Sequence, residues 1–209
     1  MRILMFGWEF PPYISGGLGT ACFGITKALK ELGNEIIFVL PRIRGEKKET
    51  YVELVSASEI PFSEASPLYE ALQDSLNIRA IDSLLLPYTG EDQYRELLAK
   101  AHGEQISAAA EKVELSGDYG PNLLAEVIRY GRAAETIARK ESFDIIHGHD
   151  WTSVFACVHA QMASGKPYIY HVHALEFDRN GENINRIVYD IEKYGMETAD
   201  HIIAVSHYN

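Results

Sequence analysis

Cysteine is scarce in this chain. Two occur in 209 residues, Cys22 and Cys157, each within an apolar helical stretch and neither at a metal or redox spacing. A disulfide framework is therefore excluded, and both read as reduced core residues of a cytoplasmic protein. Basic residues are also few: 19 Lys and Arg stand against 30 Asp and Glu, a formal net charge of −11. That balance excludes nucleic acid as the main partner, because binding phosphate backbones needs a basic face. The one basic cluster, Arg42, Arg44, Lys47 and Lys48, is interrupted by Glu46 and Glu49 and reads as a solvated loop. Met1-Arg2 leads straight into a short strand, and no apolar run has the length of a signal peptide or a membrane span. Internal repeats and low-complexity tracts are absent too. What remains is an ordinary globular composition, 46% hydrophobic and 23% charged, long enough for one domain with a full core.

Strand-like and helix-like segments alternate along it. Ile3 to Phe6 is a strand. Leu18, Cys22, Ile25, Leu29 and Leu32 then recur at helical spacing, and Gly33-Asn34 stops that helix. Ile36 to Leu40 reads as a strand buried on both faces, which makes the opening a βαβ unit with a parallel pair. Tyr51 to Val55 and Ser83 to Leu86 are expected as outer strands, with a short helix near Leu68 to Leu76 and another around Glu91 to Glu114. A clearer helix follows Pro121, a residue favoured in a first helical turn, with Leu124, Val127, Ile128, Gly131, Ala134 and Ala138 on one stripe. Phe143 to Ile146 is a strand, and Val154, Phe155, Val158 and Met162 mark a helix stopped by Gly165. Tyr168 to His171 is a strand, Ile184, Ile187, Val188 and Ile191 mark a helix, and His201 to Val205 is the last strand. The alternation predicts an α/β fold: a doubly wound, mainly parallel sheet with helices on both faces.

In such sheets ligands bind outside the carboxyl ends of the strands, and the polar chemistry collects there. The first strand runs into GWEFPPYISGGLGT and then directly into a helix. Glycine lets a ligand approach the backbone, and the helix aims unpaired N–H groups and its positive end at the same place. That geometry suits a phosphate or diphosphate, although a ligand-free turn has the same pattern. FDIIHGHDW carries His147, His149, Asp150 and Trp151. YIYHVHALEFDR carries His171, His173, Glu176, Asp178 and Arg179, and the last strand ends in Ser206 and His207.

The histidines allow two readings. Paired His-x-His with Asp150 could hold a metal in a hydrolase using His147, His149, His171 and His173, but the second His that an HxHxDH site needs is missing. The alternative is recognition of sugar and phosphate. Trp151 would offer a ring face, Asp150 would accept from hydroxyls, and His173 would donate or accept. Each has a plainer role open to it: Trp151 as core, His147 as a buried satisfied histidine, Asp150 as a helix cap, and Asp178–Arg179 as a surface ion pair.

GWEFPP…GGLG, HGHDW, HVHALEFDR and the closing AVS, in this order, resemble the amino-terminal domain of GT-B fold glycosyltransferases, above all the glycogen and starch synthase group and the related family-four enzymes. The resemblance spans nearly the whole chain, with 42–118 contributing least. It implies a retaining enzyme that moves glucose from a nucleotide diphosphate sugar onto an α-glucan, in a cleft between two Rossmann-like domains, with no metal and no cofactor beyond the donor substrate. By position, Gly16, Gly17 and Leu18 would give N–H groups to the donor diphosphate, and His173 would lie beside the transferred glucose as the catalytic residue. His149, Asp150, Trp151, Glu176, Asp178, Arg179 and Ser206 would line the sugar and acceptor side. Glycogen synthases typically carry KVGGL, with Lys two before the first Gly and Asp after the third. Ile14 and Thr20 stand here, so the donor nucleotide (adenosine, uridine or guanosine) and the acceptor stay open. Residues 1–209 are expected to be a single acceptor-side domain, cut from a longer chain whose carboxyl-terminal nucleotide-binding domain is missing. On that expectation the piece is inactive alone and exposes an apolar face that could drive self-association. A non-catalytic nucleotide- or glycan-binding module is the other alternative.

Overall fold

The computed structural model describes residues 1–13, 16–43, 51–60 and 115–207. In chain order the described elements are β1 (Arg2–Phe6), α1 (Gly17–Glu31), β2 (Glu35–Leu40), β3 (Glu53–Ser56), α2 (Leu123–Lys140), β4 (Ile145–His149), α3 (Val154–Ser164), β5 (Tyr168–Val172), α4 (Glu176–Asn180), α5 (Arg186–Thr198) and β6 (His201–Ala204). Single 3₁₀ turns cover Ala57–Glu59 and Trp151–Ser153. The strands form one sheet in the order β3-β2-β1-β4-β5-β6. Every neighbouring pair is parallel.

A parallel sheet must be covered on both faces, and side-chain alternation assigns each residue to one of them. Leu4, Phe6, Ile37, Val39, Ile146 and Tyr170 point to the face covered by α2, α3 and α5. Ile3, Met5, Phe38 and Leu40 point to the other, where Cys22 of α1 meets them. Because α1 covers one face and α2 and α3 the opposite one, the strand order reverses between β1 and β4. In such sheets ligands bind at that reversal, beyond the carboxyl ends of the two strands.

The helix stops fall where glycine predicts them, with Gly33 at φ 81° and Gly165 at φ 68° just past α1 and α3. Other boundaries move. β4 begins at Ile145 rather than Phe143 and continues through His149, so the histidines lie within the strand. The outer strand is Glu53–Ser56 rather than Tyr51–Val55. Pro121 precedes the cap residue Asn122 instead of entering the first turn of α2. The last helix starts at Arg186, because the Asn185 side chain accepts from the Ile187 and Val188 N–H groups and caps it there, so Ile184 stays outside. The short α4, which periodicity could not show, precedes it. The expected strand at Ser83 to Leu86, the helices at Leu68 to Leu76 and Glu91 to Glu114, and Ile14, Arg44, Lys47 and Lys48 all lie outside the described residues. Among those described, no helix is long and apolar enough to cross a membrane.

Candidate functional site

Past β1 the chain buries Trp8 and Phe10 and returns towards the start of α1, with Gly16 as the cap residue. Between them Glu9, itself buried, folds back onto that helix start. Its Oε2 accepts from Gly16 N at 2.7 Å and Gly19 N at 3.3 Å, and its Oε1 accepts from the Tyr119 hydroxyl at 2.7 Å. An internal carboxylate thus satisfies two of the N–H groups that a helix start leaves unpaired. Gly17 N and Leu18 N have no acceptor among the described residues. The two glycines have different causes. A Cβ on Gly16 would come within 2.7 Å of Glu9 Oε2, whereas one on Gly17 would meet nothing within 4 Å. A side chain at 16 would displace the Glu9 carboxylate from the helix start; nothing in the described protein requires glycine at 17.

β4 and β5 present four imidazoles on one face. Residues two apart stack along each strand, with ring centroids 4.4 Å apart for His147–His149 and for His171–His173. Across the strands, His147 Nε2 lies 3.2 Å from His171 Nδ1, and His149 Nδ1 lies 3.0 Å from His173 Nε2. Gly148, between the two histidines of β4, faces the other side, where a Cβ would collide with Cys157 Sγ at 2.3 Å. Close packing against α3 therefore accounts for HGH. Burial and the neighbouring imidazoles keep these rings neutral. His147 is lowered to about 3, first by burial and then by His171 and His173, and His173 to about 4 by burial and His171. His149, fully buried, is held well below the usual range for the same reasons.

Cys22, His149 and His173, and likewise His147, His149 and His171, each bring one ligand-type atom within 4.8 Å of the others. In both cross-strand pairs the centroid separations, 5.4 and 5.3 Å, match rings meeting edge to edge, nitrogen to nitrogen. Each contact is one hydrogen bond, and each of the two groups contains one such pair.

A clamp fixes the loop after β5. Asp150 Oδ1 accepts from His173 N at 2.7 Å and Ala174 N at 3.3 Å. Asp178 Oδ2 accepts from Leu175 N, and Glu192 Oε2 accepts from Glu176 N. Arg179 donates to the Ala174 carbonyl and bridges Glu176 to Glu192. Burial raises Asp150 to about 6 and Glu192 to about 7, against the pull of those N–H groups and of Arg179. Asp150 adopts a left-handed backbone, φ 58°, which turns the chain sharply after β4.

That turn corrects one expectation. Trp151 enters the core and is 3% exposed, so it offers no open face to a sugar. Glu176 is wholly buried, with its carboxylate bonded to Arg179, Asn180 and the Asn185 N–H, and His149 is buried as well. Asp178 caps α4 rather than pairing with Arg179. Trp151, Glu176 and His149 are therefore buried supports rather than open contacts, and Asp178 is an exposed helix cap. Asp150 and His173 meet at the β4–β5 ends, where Cys22 of α1 approaches His149 and His173, and Ser206 is exposed past β6. Glu9, Tyr119 and Glu192 were not foreseen, and Cys22, expected as a buried core residue, is one. Only Glu9 left a trace, as a lone carboxylate between two aromatic residues just ahead of the glycines.

The all-parallel sheet and its reversal of strand order define a doubly wound, Rossmann-like α/β protein. The profile of the starch synthase catalytic domain family matches residues 2–209, and the chain belongs to that family. It is 23% identical to the glycogen synthase of Mycobacterium tuberculosis (strain CDC 1551 / Oshkosh) over 212 residues, covering 99% of this chain and 42% of that protein. It is 25% identical to the glycogen synthase of Halorhodospira halophila (strain DSM 244 / SL1) over 187 residues, covering 85% and 35%. Among solved structures, a sucrose-phosphate synthase from Thermosynechococcus elongatus shares the fold, with a TM-score of 0.54, 12% identity, and coverage of 96% of this chain and 41% of that one. The chain thus spans about two fifths of the length of the first of these relatives.

Proposed function

We propose that this chain forms the acceptor-side half of a retaining glycosyltransferase that moves glucose from a nucleoside diphosphate sugar to an α-glucan. The observation that carries this reading is the start of α1. Two N–H groups at the positive end of a helix, those of Gly17 and Leu18, have no acceptor among the described residues, and a Cβ on Gly17 would meet nothing within 4 Å. Transfer leaves negative charge on the departing diphosphate, and oriented N–H dipoles stabilise charge where it develops. The neutral His173 lies beside the sugar, and Asp150 positions it through the backbone.

Glu9 limits this half-site. Its carboxylate already uses the Gly16 and Gly19 N–H groups and opposes a second anion nearby. Binding by the 209-residue polypeptide alone is therefore weak, with a Kd in the millimolar range, about −4 kcal/mol, until a second, nucleotide-binding domain closes on the crevice. The reaction needs no cofactor or metal beyond the donor. The test is initial-rate transfer by the full-length parent, using adenosine, uridine and guanosine diphosphate glucose with maltooligosaccharides. One donor is expected to be used, and Gly17→Ala should cut kcat/KM at least tenfold while altering stability by no more than about 1 kcal/mol. Full activity in the Gly17→Ala enzyme would refute the diphosphate role.

A further inference from the structure

His149 has one proton for two nitrogens, and its surroundings decide which carries it. The ring is fully buried and neutral. Nδ1 faces His173 Nε2 at 3.0 Å, whereas Nε2 is buried with no hydrogen-bond partner. A proton on Nε2 would bury an N–H with nothing to receive it. A proton on Nδ1 is donated to His173 and leaves on Nε2 only a lone pair, the group more cheaply left unmet. The Cys22 sulfur lies within 4.8 Å of a His149 ring nitrogen, and burial keeps that thiol protonated, a weak donor. His173 Nε2 must then accept, which places the single proton of His173 on Nδ1. That atom has no acceptor among the described residues.

We propose that His149 is a positioning residue that fixes His173 as its Nδ1–H tautomer, so that His173 offers the crevice a hydrogen-bond donor for a sugar oxygen. The assignment of the ligand rests on the glycosyltransferase reading; the tautomer does not. A neutral donor suits a hydroxyl or ring oxygen, and it adds no charge beside the carboxylates of Glu9 and Asp150.

Long-range ¹H–¹⁵N correlation spectra of the 209-residue polypeptide, labelled at histidine, read the tautomer directly. Wild-type His173 is expected as Nδ1–H at pH 7.5 by at least about ten to one, since a buried orphaned donor costs that much or more. His149→Asn, whose amide nitrogen stands where Nδ1 stood, should keep that pattern. His149→Phe should release His173 towards the Nε2–H form that a free imidazole favours. A wild-type His173 protonated on Nε2 overturns the proposal, and so does a His149→Phe protein with His173 unchanged. If the phenylalanine variant does not fold, the wild-type and His149→Asn spectra still decide. An Nδ1–H signal in a protein that ignores every nucleoside diphosphate sugar supports the tautomer and sinks the glycosyltransferase reading instead.

Discussion

Asp150 holds an unfavourable backbone in return for a useful carboxylate position. A non-glycine residue at φ 58° costs of order 1 kcal/mol, and the same turn brings Oδ1 onto the N–H groups of His173 and Ala174. Asp150→Gly should relieve the strain but abandon the loop, whereas Asp150→Ala loses on both counts. The alanine variant is expected to be less stable by about 1–3 kcal/mol, with part of that regained in the glycine variant, as measured by urea unfolding. Both should lower the parent enzyme's kcat by about a hundredfold, the scale on which misplacing a catalytic group acts. A glycine variant as active as wild type would remove Asp150 from the mechanism. Arg179 poses a sharper case, because its loss strands Glu176 and Glu192 in the interior. Arg179→Met should destabilise by about 3–5 kcal/mol, and adding Glu192→Leu should restore much of it; strictly additive losses in that pair would show that the two side chains do not act as a unit.

At the level of elements, the β4–β5 ends combine groups whose titrations oppose one another. His147 and His173 have folded pKa values lowered from 6.5 to about 3 and about 4. Their contribution is present above pH 6.5 and is lost as pH falls, because the unfolded chain takes up protons first. Asp150, raised from 3.8 to about 6, and Glu192, raised from 4.5 to about 7, contribute below their unfolded values and lose that contribution as pH rises through 6 to 7. Stability should therefore peak between these limits, near pH 6. In thermal melts from pH 4.5 to 8.5, Glu192→Gln should flatten the alkaline side and His147→Gln the acid side; the reverse assignment would contradict the buried-group account.

Much of this framework was legible because buried parallel strands must be apolar and helices must stop at residues such as Gly33 and Gly165. Helix α4 was not, since five residues are too few for a period to show. Trp151 was misjudged for a related reason. An aromatic residue after a strand is placed by one backbone angle, at Asp150, which the sequence does not display. Glu9 was missed because its partners, Gly16, Gly19 and Tyr119, meet it only once the turn has closed.

For the whole molecule, the reversal of strand order between β1 and β4 sets the start of α1 and the β4–β5 ends at the carboxyl edge of one sheet. That the strand ends share one edge was legible from the alternation of elements; which of the side chains would face inward was not. At the sheet margin β6 leaves Ile202 43% and Val205 52% exposed. The 209-residue polypeptide is accordingly expected to self-associate at high concentration; an unchanged monomer mass by light scattering across a hundredfold concentration range would contradict this. Spanning about two fifths of the length of its first relative, the 209-residue polypeptide is expected not to turn over donor and acceptor alone.

The central claim is that the turn at Gly17 and the loop at His173 together receive a nucleoside diphosphate sugar. An amide ¹H–¹⁵N titration of the 209-residue polypeptide with glucose-bearing nucleoside diphosphates tests it most directly. Shifts confined to Gly16–Thr20 and His173–Ala174, saturating at millimolar ligand and abolished in Gly17→Ala, are the predicted result. Shifts centred elsewhere, or a response that Gly17→Ala leaves intact, would contradict it.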